Sequence, residues 1–527
     1  MEARIAPALG VRRNTFGRLS GAGCLVAMIC VTIGRGRHSS LIEEWQAAAK
    51  AGAELAELRM DCLRREPDLK RILQDRPTPV VFTARRGSDG GLWRGNEDRR
   101  LQLLREAIAM GVDYVDLEQD VAGKIRRFGK TKRIVSYHNL KGTPAELQDI
   151  ADECEKLDPD IVKIATNATS LADACRVLQL GTTGKFPTIP IAMGESGVFT
   201  RVLGARLGSP FTYAGINPER VFAAGMLQYN ELKNDYNYRQ IDDRTEVYGV
   251  IGDPIQQSLS PAIHNAAFRH LGLNKVLVPF LVPNGGLESF LKDTQWLGLK
   301  GFSVTIPHKE AIVPLLQQKE NAVERTGACN TVLVDEDGRL RGYNTDYRAA
   351  MDSLEVGMGS VEGVEGDSPL VDKQVLILGA GGVARSIARG LSRRGAHVTI
   401  TNRHDERATS LAEEIGCRMV TWSQRATVIA DVIINCTPVG MHPNVDDTPL
   451  PPSAFPRAGI VVFDTVYHPE HTMILKLARE RQAVTISGVD MFLRQAALQF
   501  KQYAGQDAPL DLMRAVLKRK LGPLKEE

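Results

Sequence analysis

Four residues of this 527-residue chain have the side chains and neighbours to move protons or attack a carbonyl. Lys163 sits in DIVKIAT, flanked by Val162 and Ile164, in a run that reads as a short buried strand. An amine desolvated in such a place has a depressed pKa, and a neutral amine attacks a ketone to form a Schiff base. His138 closes RIVSYH, the preceding strand-like run, and its imidazole exchanges protons near neutrality. A lysine nucleophile beside a histidine base equips a site for imine-assisted proton abstraction and elimination. The competing reading is a lysine that snorkels to solvent or pairs with Glu57 or Glu118. Lys309 follows a strand and a proline in VTIPHKE, and Asp346 lies in YNTDY. Taken alone, the first is a surface lysine and the second a turn residue.

The elements that must position the first pair recur from residue 26 onward. Eight apolar runs (VAMICVTI, ELAELRMD, PVVFTAR, YVDLEQD, RIVSYH, IVKIAT, TIPIAMG and FTYAGI) alternate with helix-like stretches such as SLIEEWQAAAKAG and DRRLQLLREAIAMG. This alternation predicts parallel strands with crossover helices, and eight units over residues 26–242 suit a (β/α)8 barrel of α/β class. Glu57 and Arg59 close the second run, Arg85 the third, Glu118 the fourth and His138 the fifth, with Lys163 near the end of the sixth. In a closed barrel those ends converge on the face that hosts chemistry.

After FAAGMLQ the polar stretch YNELKNDYNYRQIDDRTE marks a domain junction near Asp242 or Asp243, and a second α/β pattern opens with VYGVIGDPI. Residues 246–350 are expected to form a substrate domain, 371–490 a Rossmann domain, and 491–520 helices that return to the substrate domain. GMGSVEGVEGDSP between them reads as a loop. In QVLILGAGGVARSIARGL an apolar strand runs into glycines and then a helix rich in small residues. Gly379, Ala380, Gly381, Gly382 and Val383 would let backbone approach a pyrophosphate at the helix N-terminus. The next strand, HVTIT, ends in Asn402 and Arg403, 402 − 379 = 23 residues on, near the ~20 expected for the ribose contact. A neutral Asn followed by Arg403, with Arg407 one turn later, suits a 2′-phosphate and favours NADP over NAD.

Bulk composition narrows the rest. A net charge of +3 gives no electrostatic reason for a nucleic-acid or acidic-membrane partner. Eight scattered cysteines with no metal-ligand spacing suit reduced thiols in a cytoplasmic protein without a structural metal. Arg12 and Arg13 before GAGCLVAMICVTI resemble the start of an export signal. The same apolar run is needed as the first barrel strand, so residues 1–25 are expected to be a leader outside the fold.

The motifs carry two resemblances. ELRMD, FTARRGSDGG, SYHNLKGTP, DIVKIAT and IAMGESGVFTR, in that order, resemble type I 3-dehydroquinate dehydratase. That resemblance implies Lys163 as the Schiff-base lysine and His138 as general acid/base. Thr32, Glu57, Arg59, Arg85 and Arg201 would hold the substrate's hydroxyls and carboxylate. The chain departs from that family at Asp89, where Glu is usual and supports the histidine, and at Phe222 and Met226 in the loop that covers the substrate. SLSPAIHN, GFSVTIPHKE, GACNTV, GYNTDY, NCTPVGMHP, FDTVYHP and SGVDMFLRQAALQF resemble shikimate dehydrogenase. Lys309 and Asp346 are then implied as the catalytic pair. Ser258, Ser260, Thr305, Asn330, Tyr467 and Gln495 are implied as substrate ligands, and Gly488 joins the cofactor site. Ser258 and Ser260 also read as N-caps of a helix starting at Pro261. His404 replaces the usual Thr after Asn-Arg. Together the resemblances imply a bifunctional enzyme performing consecutive steps, dehydration and then NADPH-dependent reduction, with the intermediate made close to its second site. The rival expectations are an NAD-dependent catabolic enzyme and a ligand-sensing regulator without catalysis.

Overall fold

A computed structural model describes residues 27–359, 368–454 and 459–522. The expected leader and the centre of the GMGSVEGVEGDSP loop lie outside the described residues. The chain divides into two compact units, one ending at Leu299 and the other beginning at Lys300.

The first unit opens with eight strands: β1 (Met28–Ile33), β2 (Leu55–Arg59), β3 (Val80–Thr83), β4 (Tyr114–Glu118), β5 (Lys132–Asn139), β6 (Ile161–Asn167), β7 (Thr188–Met193) and β8 (Phe211–Ala214). They pair in the order β7-β6-β5-β4-β3-β2-β1-β8, and every pairing is parallel. The result is a nearly closed barrel whose only unladdered seam, among the described residues, lies between β7 and β8. Side chains alternate across each strand, and this period sorts the interior into layers. Cys30, Leu55, Val81, Ile134, Ile161, Ile189 and Phe211 pack as one apolar floor. Two residues further along most strands the inward side chain is polar: Thr32, Glu57, Thr83, Asp116, Ser136 and Lys163. The floor closes the barrel from below, so these polar groups face each other and the mouth of the barrel.

Beyond the barrel, β9 (Glu246–Gly252) and β10 (Lys275–Leu281) form a parallel pair in the same unit. Phe280 of β10 lies 4.8 Å from Phe199 of the barrel helix Val198–Leu203 and 5.6 Å from Phe290 of helix Leu287–Thr294. Arg206 Nε donates to the Thr245 carbonyl at 3.0 Å. These contacts join residues 246–299 to the barrel, past the polar stretch that marks the junction in sequence.

The second unit begins with β11 (Gly301–Val304), β12 (Gln318–Lys319), β13 (Thr331–Val334) and β14 (Leu340–Tyr343). β13 runs antiparallel to both β11 and β14, and β12 runs parallel to β14. A six-stranded parallel sheet follows: β15 (Gln374–Leu378), β16 (His397–Thr401), β17 (Arg418–Met419), β18 (Val432–Asn435), β19 (Val461–Asp464) and β20 (Val484–Ile486). Its order, β17-β16-β15-β18-β19-β20, is the doubly wound 3-2-1-4-5-6 arrangement that binds dinucleotides at the point of strand reversal. Helices Thr345–Gly357 and Gly488–Ala504 pack on each other. The overall class is therefore the expected α/β, a barrel followed by dehydrogenase-like and Rossmann-type folds. No helix among the described residues is long and apolar enough to cross a membrane.

Candidate active sites

The mouth of the barrel holds a cavity of about 340 Å³ lined by Thr32, Glu57, Arg59, Arg85, Asp89, His138, Lys163, Arg201, Tyr213, Phe222 and Met226, among others. Lys163 is buried at its base, with 5% of its surface exposed. Its surroundings are not the apolar ones expected from DIVKIAT. Val162 and Ile164 point to the other side of β6, as strand alternation requires. Lys163 Nζ instead donates to Asp116 Oδ2 at 3.0 Å and lies 4.0 Å from the ring centroid of Tyr213. The competing partners Glu57 and Glu118 are taken elsewhere. Glu57 accepts hydrogen bonds from Thr32 and Thr83 at 2.8 and 2.9 Å, while Glu118 accepts from Arg85 and Arg100, both at 2.7 Å.

Asp116 is held on both oxygens. Arg85 Nη2 approaches Oδ2 at 2.6 Å, and Ser136 donates to Oδ1 at 2.5 Å. The neighbouring cations Arg85 and Lys163 outweigh burial and hold this carboxylate far below the usual range. In register, Ser136 of β5 stands beside Lys163 of β6, and His138 two residues on stands beside Ala165. His138 therefore lies on the same inward row, one step nearer the mouth. Burial lowers its pKa well below the ordinary value, and the charges of Arg85 and Lys163 push the same way. Its Nδ1 is buried with no partner among the described residues. The Asp89 departure fits this picture, because its carboxylate is engaged by Arg86 at 2.9 Å and Ser88 at 2.8 Å.

The three arginines of the cavity differ in their partners. Arg85 is committed to Asp116 and Glu118, and Arg59 makes a bidentate pair with Asp61 at 2.9 and 2.7 Å. Arg201 is 2% exposed and faces no carboxylate among the described residues. Its Nε has no partner, and its best contact is a 3.5 Å approach to the Ala224 carbonyl. Burial alone lowers its pKa to about 10. The covering loop is apolar as the sequence indicates. Phe222, Ala223, Ala224 and Met226 line the cavity, and the Phe222 ring lies 5.5 Å from the Arg59 guanidinium.

In the second unit Lys309 Nζ donates to Asp346 Oδ2 at 2.6 Å, so the structure brings together two residues 37 apart in sequence. The pair is set by the turn after β11 and by the first turn of helix Thr345–Gly357, capped by Asn344, whose side chain accepts from the Tyr347 N–H. Asn330 is buried beside it. Its Nδ2 donates to Thr345 Oγ1 at 2.8 Å and reaches Gln495 Oε1 at 3.5 Å. Thr305 is half-buried in the β11 turn, and Tyr467 packs at 4.9 Å on Phe492. Ser258 and Ser260 belong to the other unit. The helix there spans Ser260–His270 with Leu259 at its N-cap position, and Ser258 Oγ accepts from the Ser260 N–H at 3.4 Å, a weak contact with the first helical residue.

The glycine loop shows the cradle expected of a dinucleotide site. Gly379 has φ +114° and a Cβ there would lie 2.9 Å from the Cys436 carbonyl oxygen, so only glycine fits. Beside Gly381 nothing lies within 4 Å, which leaves the backbone open to a ligand. Asn402 Nδ2 donates to the His404 carbonyl at 3.0 Å. Arg403 and Arg407 are exposed and form no ion pair among the described residues. Gly488 has a packing reason of its own, since a Cβ there would fall 2.2 Å from the Val466 carbonyl oxygen. Sequence reasoning missed Asp116, Ser136 and Tyr213. Period-2 counting back from Glu118, His138 and Lys163 would have put the first two on the inward row.

Comparison with known proteins identifies the family of each half. Residues 29–243 match the family model of type I 3-dehydroquinase, and 250–332 match that of the shikimate dehydrogenase substrate binding domain. Residues 374–457 match NADP oxidoreductase, coenzyme F420-dependent, and 488–518 match the shikimate 5′-dehydrogenase C-terminal domain. The shikimate dehydrogenase (NADP(+)) of Methanothermobacter thermautotrophicus is 41% identical over 53% of this chain and 99% of its own length. The chloroplastic bifunctional 3-dehydroquinate dehydratase/shikimate dehydrogenase of Arabidopsis thaliana is 37% identical over 92% of this chain and 83% of its own. With both halves matched in one continuous alignment, the chain belongs to the bifunctional 3-dehydroquinate dehydratase/shikimate dehydrogenase family.

Proposed function

We propose that residues 26–242 dehydrate 3-dehydroquinate to 3-dehydroshikimate through an imine on Lys163, and that residues 246–520 reduce this product to shikimate with NADPH. The observation that carries the first half is the buried Lys163 nitrogen at the base of a cavity, with His138 one step above it on the adjacent strand. Lys163 gives a proton to neutral His138, its free amine adds to the substrate ketone, and His138 returns that proton as the hydroxyl on this carbon leaves as water, giving an iminium. His138, held neutral at physiological pH by burial and by Arg85 and Lys163, takes the proton α to that carbon. It returns the proton to the departing hydroxyl, which leaves as water. Hydrolysis frees Lys163. Asp116 stabilises the cationic nitrogen before and after it becomes an iminium, and Arg85 and Ser136 keep that carboxylate in place. Thr32 and Glu57 offer polar groups to the substrate's hydroxyls, and Arg201 is the guanidinium left to take its carboxylate.

In the second half Lys309, paired with Asp346, passes a proton to the oxygen of the reacting carbonyl. Asn330, Thr305, Tyr467 and Gln495 bind the ring's hydroxyls and carboxylate. NADPH, when bound, supplies the hydride. Arg403 and Arg407, exposed beside Asn402 and without an ion pair among the described residues, suit its 2′-phosphate. A cytoplasmic location suits the seven cysteines that are free among the described residues. The test is separability. Lys163→Ala is expected to lose dehydration and keep reduction, and Lys309→Ala the reverse. Loss of both activities from either single change, with the fold intact, contradicts the assignment.

A further inference from the structure

The turn that carries Lys309 also carries Glu310, a half-exposed carboxylate outside the proton relay. Its Oε2 lies 3.1 Å from Arg385 Nη1, in the first turn of helix Gly382–Arg393. A Cβ built on Gly382 would lie 3.9 Å from Glu310 Oε1. Glu310 therefore stands at the amino end of the helix that follows the glycine loop. That end presents unpaired N–H groups and the positive pole of the helix, and in dinucleotide folds the pyrophosphate sits there. Further charges tie the same corner together. Arg385 Nε reaches Glu414 at 3.6 Å, Glu414 also holds Arg389, and Arg389 donates to the Arg325 carbonyl at 2.5 Å.

We propose that Glu310 is a built-in anion that competes with the cofactor's pyrophosphate for this helix end and, being one peptide bond from Lys309, couples cofactor occupancy to the placement of that lysine. The proposal rests on the dinucleotide reading above. Two negative groups cannot share one helix end without repulsion. Arrival of the pyrophosphate turns Glu310 outward, leaves Arg385 to the phosphate oxygens, and shifts the turn in which Lys309 pairs with Asp346.

The test is calorimetric titration of NADP+ into the full-length wild type, Glu310→Gln and Arg385→Gln, with thermal unfolding of the same chains as the check on folding. Glu310→Gln is expected to bind NADP+ about three- to tenfold more tightly than the wild type at low salt, with the gain shrinking as salt screens the charge. Arg385→Gln is expected to bind it more weakly. NADP+ should also raise shikimate affinity less in Glu310→Gln than in the wild type. A folded Glu310→Gln that binds NADP+ no more tightly than the wild type overturns the proposal. A wild type that binds no NADP+ overturns the dinucleotide reading itself.

Discussion

Arg201→Met gives the most demanding check on how the barrel site is built, because it should stabilise the protein while disabling it. Arg201 is buried, lacks a carboxylate partner among the described residues, and has its pKa lowered to about 10 by burial alone. Measured from the ordinary value of an arginine, that shift costs ~3 kcal/mol for carrying the charge in this place. The sign follows from linkage. Folded Arg201 loses its proton more readily than the unfolded residue, so the penalty is fully present at pH 7 and is relieved only as pH rises above 10. Met keeps most of the length and apolar volume without the charge. The unliganded variant is expected to gain about 1–3 kcal/mol, or roughly 2–4 °C in Tm for each of those kcal/mol. The same change removes the guanidinium that meets the substrate's carboxylate, so kcat/KM for dehydration should fall ~10²–10³-fold. Calorimetric melting with and without product, together with dehydration followed by the absorbance of the conjugated product, measures both effects. A variant that melts below the wild type, or that keeps its KM, refutes the reasoning.

Asp116→Asn should do the opposite to stability, since it leaves Lys163 and Arg85 sharing a neutral amide. A loss of about 3 kcal/mol is expected by denaturant unfolding, along with loss of dehydration. The acid limb of kcat/KM for dehydration should lie well below pH 6.5, because burial, Arg85 and Lys163 all hold His138 neutral; a limb centred at 6.5 or above contradicts that. His138→Ala should reduce kcat by ~10²–10⁴-fold and remove the limb. Arg403→Gln should raise KM for NADPH several-fold and leave KM for NADH unchanged in steady-state reduction. An equal effect on both cofactors would mean that Arg403 does not read the 2′-phosphate.

Much of the barrel site was legible because polar residues ended most of the apolar runs, and period 2 carried Glu57, Arg85, His138 and Lys163 onto one inward row. The setting of Lys163 was misread for a physical reason. Residues next to each other along a strand face opposite sides, so Val162 and Ile164 say nothing about what the lysine itself touches. Its true neighbours come from β4, β5 and β8, and cross-strand register is not written locally. Asp116 was passed over because a carboxylate in mid-strand carries no signal until its partner is placed. In the second half, QVLILGAGG and the Asn402–Arg403 spacing placed the dinucleotide fold, because that motif is confined to one strand, turn and helix. The pairing of Lys309 with Asp346 could be inferred from family resemblance only. The unit division near Lys300 was hidden, since it depends on Phe280 meeting Phe199, two aromatic residues that look like ordinary core.

The central claim is that the Lys163 nitrogen becomes covalently bonded to the substrate. Borohydride added during turnover of 3-dehydroquinate, followed by mass spectrometry of the peptides, tests it directly. The account predicts a stable reduced adduct on the peptide bearing Lys163, and none in Lys163→Ala. An unmodified Lys163 peptide, with Lys163→Ala retaining full dehydratase activity, would contradict it.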